Sequence, residues 1–103
     1  MWYSTTCIFY SEIGGETGGR PLCEERVVLF DANDEEQALK AAKRYGRLEA
    51  HSYANAKGET VRWRFAAIES VHVLEGPSAN GWEVSAKFVR RSLSTLRKLA
   101  KSP

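Results

Sequence analysis

The stretch KGETVRWRFAAIESVHVL, residues 57–74, decides the fold. Val61, Trp63 and Phe65 alternate with Arg62 and Arg64. Successive side chains on a strand point to opposite faces, so this is a half-buried strand with the aromatics inward and the guanidinium groups in water. The apolar phase slips between Ala66 and Ser70 and resumes at Val71, Val73 and Leu74. One long strand with a bulge or bend near Glu69 accounts for both halves.

Working outward, Trp2–Ile13 is rich in aromatic and β-branched residues on both alternating sets: Tyr3, Cys7 and Phe9 on one side, Trp2, Ile8 and Tyr10 on the other. A strand covered on both faces has that pattern. GGETGGRP, residues 14–21, holds four of the eight glycines and reads as a mobile connection. The second strand runs from Leu22 to Ala32, its Glu24-Glu25-Arg26 start emerging into water and Val27–Phe30 buried. A helix follows, capped by Asn33 with Glu36 reaching back. Acidic residues crowd its start and basic ones its end, as the helix dipole favours. Ala38, Leu39, Ala42 and Tyr45 face inward, and Gly46 ends or weakens it, with the boundary between Tyr45 and Glu49. Past the long strand, Glu75–Gly81 is a dense turn signal, and Trp82, Val84, Ala86 and Phe88 alternate as a further strand. From Val89, the residues Leu93, Leu96, Leu99 and Ala100 gather on one side of a helix. Arg90, Arg91, Arg97, Lys98 and Lys101 gather on the other. The expected fold class is α+β: an antiparallel four-stranded sheet with one helix packed on a face, in the order β-β-α-β-β-α. Residues 1–88 form the single domain and 89–103 a basic amphipathic C-terminal helix.

The 103 residues, 43% hydrophobic and 27% charged, suit one globular domain. No apolar run approaches the roughly 20 residues of a membrane span, and no secretory leader is expected at MWYSTTCIFY. The formal charge of +2 is mild, but six basic residues and no acidic one lie from Lys87 onward. Cys7 and Cys23 flank the glycine-rich stretch and would face each other across a hairpin centred near residue 15. An unexported chain in a cytoplasm keeps them as reduced thiols. Cys7, Cys23, His51 and His72 lack the close-paired spacing of zinc ligands, so no metal and no cofactor is expected.

The most unusual stretch joins the first helix to the long strand: Glu49, His51, Tyr53, Asn55, Gly58, then VRWRF. Together with the opening MWYS and the segment PLCEERVVLFDA, the run HSYANAKGETVRWRF resembles a family of small bacterial proteins called domain of unknown function 4288. The resemblance covers roughly residues 1–88. It implies that Glu49, His51, Tyr53, Asn55, Gly58 and Trp63 act as a unit, and it brings no mechanism.

Two geometries suit that unit. If extended, Glu49, His51, Tyr53 and Asn55 share a face; if a last helical turn, Glu49 meets Tyr53 and His51 meets Asn55. Either set can bind a base or phosphate or move a proton, or it ties an irregular connection together, with Asn55 and Gly58 shaping the turn. No nucleophile elbow, phosphate-binding glycine loop or paired metal-binding histidines is present. Cys7 or Cys23 with His51 as base is the one nucleophilic arrangement available, and predicted strands usually bury inert thiols. The reading is therefore a non-catalytic binding module contacting another protein. Its surfaces are the Arg62/Arg64 sheet face and the C-terminal helix, where Leu93, Leu96 and Leu99 can pair with a second copy. The alternative is RNA or DNA binding through Arg62, Arg64 and the basic helix. Membrane attachment is not expected, because the helix is short and lacks aromatic anchors.

Overall fold

A computed structural model describes residues 1–74, 83–90 and 93–101, with side chains described for 1–74 and 94–100. The chain runs β1 (Trp2–Ile13), β2 (Leu22–Asp31), α1 (Glu35–Glu49), β3 (His51–Ala54), β4 (Thr60–Leu74), β5 (Glu83–Arg90) and α2 (Leu93–Lys101). The strands form one sheet in the order β3-β4-β1-β2-β5, with every neighbouring pair antiparallel. The α+β architecture and the four long strands are as expected from sequence; β3, four residues long, adds a fifth strand at the edge. No helix of the described residues is long and apolar enough to cross a membrane.

β1 is central, which explains why both of its alternating sets are apolar. Cys7 and Phe9 join Val28, Phe30 and Ile68 beneath Ala42 of α1. Ile8 joins Cys23 and Leu96 of α2 in a second cluster. The helices thus cover opposite faces of the sheet. β4 carries two register shifts against β1, one on each side of the Cys7–Ile68 and Ile8–Ala67 pairs. The bend near Glu69 is real, and the extra residue near Ala66 explains the untidy phase.

Five local readings are corrected. The cap of α1 is Asp34, whose carboxylate accepts the Gln37 amide at 2.8 Å, while the Gln37 side chain accepts the Asn33 amide at 3.3 Å; the capping box sits one residue later than Asn33/Glu36. Gly46 does not end α1, which continues to Glu49. It is buried against β4, and a methyl there would overlap the Phe65 ring. Cys7 pairs in register with Arg26, and Cys23 with Tyr10. The cysteines are therefore offset by three positions, an odd number that puts them on opposite faces as buried free thiols. Glu24, Glu25 and Arg26 do not emerge into water: Glu25 is buried and the side chains of Glu24 and Arg26 are each 14% exposed. Finally, Val89 and Arg90 belong to β5, and the helix starts at Leu93. The predicted turn 75–81, Trp82, Arg91 and the side chains of 83–90, Leu93 and Lys101 lie outside the described residues.

The β1–β2 connection begins with a two-residue hairpin turn. Ile13 and Glu16 exchange backbone hydrogen bonds at 2.8 and 3.1 Å. Gly14 and Gly15 sit at φ 62° and 84°, the left-handed pair that such a turn requires.

Candidate functional site

Glu49 is the last residue of α1 and His51–Ala54 is extended as β3, so neither expected geometry holds for the whole unit. The structure divides its members among three tasks. Asn55 and Gly58 make the β3–β4 turn. The Asn55 side-chain oxygen accepts the amides of Lys57 at 3.0 Å and Glu59 at 2.9 Å, and its amide group donates to the Glu59 carboxylate at 3.3 Å. Gly58 supplies φ 78°. Every polar group of Asn55 is engaged, so the turn-shaping role fits it.

Glu49 goes elsewhere. Its carboxylate lies 3.6 Å from Arg26, which is the hub of a cluster that the sequence reading missed. Arg26 donates to both Glu24 oxygens, at 2.8 and 3.4 Å, and to the Tyr45 hydroxyl at 2.9 Å, with its guanidinium 4.8 Å above the Phe9 ring. Burial works against its charge, but the hydrogen bonds to Tyr45 and Glu24 and the carboxylate charge outweigh that, holding the guanidinium pKa above its ordinary value. Burial likewise raises the Tyr45 phenol, opposed by Arg26. The signal was parity: Glu24 and Arg26 share a strand face with Val28 and Phe30. The cluster clamps α1 to the sheet.

His51 and Tyr53 remain on β3, whose four residues are all exposed. The His51 ring stacks on Tyr53 with centroids 5.9 Å apart, and its Nδ1 lies 3.0 Å from the Glu49 carbonyl oxygen. Tyr53 is 49% exposed, and its hydroxyl accepts the Trp63 indole N–H at 3.5 Å. These two rings wall a cleft of about 500 Å³. Val61 forms its floor, Leu22 and Ile13 its far side, and Glu16 and Thr17 of the glycine-rich connection its rim. Ile13 is 46% exposed here. The glycine-rich connection was read from sequence as a loop that could close over a ligand or simply be mobile. Ile13 and Leu22 were not placed in a site, because β1 and β2 reach Trp63 only through sheet order.

Arg62 and Arg64 stand on the opposite face, both exposed, as read from the alternation. Arg64 is bonded to Glu12, and the bond and the charge of Glu12 raise its pKa. The pair lines a polar cavity of about 470 Å³ with Gly14, Gly15 and Thr60. α2 lies on this face too: Tyr10, the register partner of Arg64, shares a small cavity with Arg97 and Leu96. The structure therefore joins two surfaces that sequence treated separately. Leu96, 3% exposed against Ile8 and Cys23, is buried within its own chain, which removes the middle of the leucine stripe offered to a second copy. Arg97 and Lys98 are exposed; Arg90 lies at the end of β5.

Both thiols of the nucleophile reading are fully buried, whereas His51 is exposed on β3. Burial pushes the Cys7 pKa up to about 11, so it is protonated at neutral pH. Among the described residues no group of three or more His, Cys, Asp or Glu side chains is arranged to hold a metal ion.

A model of the family described as Domain of unknown function (DUF4288) matches residues 2–86. No curated protein and no solved structure matches the chain.

Proposed function

The chain belongs to the DUF4288 family, and from that premise we propose that it is a non-catalytic binding module whose cleft between Tyr53, Trp63 and the Gly14–Gly19 connection receives a side chain of a partner protein. One observation carries the reading: two aromatic members of the HSY…WRF unit, on neighbouring strands, meet at an open cleft, Trp63 reaching it from the edge of the core cluster. Aromatic rings rigidly held at a surface supply large contact area at small entropic cost, which is why they anchor interfaces. Two buried free thiols suit a reducing compartment, so a cytoplasm is the proposed setting.

The test is selection of a displayed peptide library on the wild-type chain and on Tyr53→Ala. Peptides that bind the wild type and lose at least tenfold affinity for the variant support the cleft. Peptides indifferent to the substitution, or none enriched, overturn it.

A second reading rests on the shared face of Arg62, Arg64 and Arg97 beside Tyr10. Cations beside a half-buried ring suit the phosphate backbone of a nucleic acid. A labelled oligonucleotide binding steeply less well between low and physiological salt, and less well still to Arg62→Ala, is its signature.

A further inference from the structure

Resting on the cleft reading, we infer that the side chain seated between Tyr53 and Trp63 is cationic: a lysine or arginine of the partner protein. Three features of the cleft point there. Its walls are π systems, whose faces carry partial negative charge and attract cations within about 6 Å of the ring. Among the described residues its only charged lining residue is a carboxylate, Glu16, and no lysine or arginine lines it. Glu16 is exposed and forms no salt bridge among the described residues, so its charge is available to a guest.

The rest of the lining agrees. Ile13, Leu22 and Val61 offer apolar surface to the methylene stem of a long side chain, which buries its stem while its charged head seeks a polar partner. An anionic guest has no basic lining residue to meet, and a purely apolar guest leaves Glu16 uncompensated at the mouth. The opposite face has Arg62, Arg64 and Glu12 in a comparable cavity, with Arg64 bonded to Glu12.

The experiment titrates the full chain with four probes: the N-acetyl amides of lysine, arginine and norleucine, and tetramethylammonium. Indole N–H resonances of the ¹⁵N-labelled chain are followed, with that of Trp63 assigned by its loss in Trp63→Phe. Lysine or arginine amide binding roughly 3- to 30-fold more tightly than norleucine amide, with the preference reduced severalfold in Glu16→Gln, supports the inference. Glu16 is exposed on a connection, so that variant keeps the fold. Norleucine amide binding as well as the cations overturns the cationic guest while leaving the peptide cleft standing. Binding of tetramethylammonium alone overturns the assignment to a protein side chain. A Trp63 resonance unmoved by any probe, in a chain whose selected peptides still depend on Tyr53, also overturns it. If no Tyr53-dependent peptide exists, the cleft reading itself falls.

Discussion

Phe65 and Trp63 lie two residues apart on one face of β4 and pack against one core cluster, yet their other neighbours differ. Phe65 meets α1: its ring packs edge-on to Phe9 with centroids 5.8 Å apart, and it lies so close to the helix that only glycine fits at position 46. Trp63 pairs in register with His51, where the chain has already left the helix, and it opens onto the cleft. Both rings pack partly buried against one core cluster, and the same alternation leaves the first under the helix and the second at the cleft. What separates them is the length of the helix above, a tertiary fact. A face that a helix covers only in part has a core where it is covered and a binding surface where it stops.

The covered region should respond strongly to substitution, most of all at Arg26. Arg26→Ala strips the cation from a Glu24 carboxylate that is itself 14% exposed and frees the Tyr45 hydroxyl. Removing one partner of a largely buried pair leaves an uncompensated charge, and about 3 kcal/mol of stability should be lost in urea unfolding. Arg26→Lys should recover only part, since an ammonium cannot reproduce the forked contact to both oxygens of Glu24. A loss below about 1 kcal/mol would mean that the cluster behaves as a surface pair and that the covered region is smaller than drawn.

Gly46→Ala comes next. In an open helix this change stabilises by about 1 kcal/mol; here the added methyl overlaps Phe65, and a net loss of about 2 kcal/mol is expected. Combining it with Phe65→Leu should cost less than the two single changes summed, because the smaller side chain relieves the overlap. Stabilisation by Gly46→Ala alone would show that α1 can lift from the sheet without penalty.

Cys7 tests the same region through pH. Its folded pKa, raised to about 11 by burial, exceeds the ordinary value of 9.0. The unfolded chain therefore releases the thiol proton first. The contribution is intact below about pH 9 and is lost as pH rises towards 11. Tyrosines and lysines titrate nearby, so the readout is the difference between the wild type and Cys7→Ala. The wild-type curve should fall more steeply, by about 1–2 kcal/mol at pH 11. Parallel curves would mean that water reaches the thiol.

How far the sequence reveals this division can be judged residue by residue. Val61, Arg62 and Arg64 took their sides from alternation alone, and the bend near Glu69 from the slip in phase. Those signals are local. Arg26 was misplaced because two adjacent glutamates suggested water, while the parity that put it beside Val28 and Phe30 was overruled by charge. Gly46 looked like a helix end because its reason lies in Phe65, nineteen positions on. Tyr53 and Trp63 were recognised as members of a unit, but the cleft they share with Ile13 and Leu22 depends on β1 lying beside β4, and strand order is a long-range property that no local pattern encodes. The cysteines failed for a smaller reason: the register placed them three positions apart, and parity did the rest.

The smallest effect is expected at the cleft itself, and it bears most directly on where the core ends. Tyr53 is half exposed, on an edge strand with β4 as its only partner strand, and its hydroxyl accepts one long bond from an indole that water can satisfy equally well. Truncating a buried aromatic ring to alanine typically costs about 3–5 kcal/mol; Tyr53→Ala should cost less than about 1 kcal/mol, since little surface returns to water and no cavity forms. A melting temperature within a few degrees of wild type, together with loss of peptide binding, is the combination that separates a site from a core. A loss as large as that at Arg26 would put Tyr53 on the structural side of the boundary, and Trp63 with it, because the two rings share one wall.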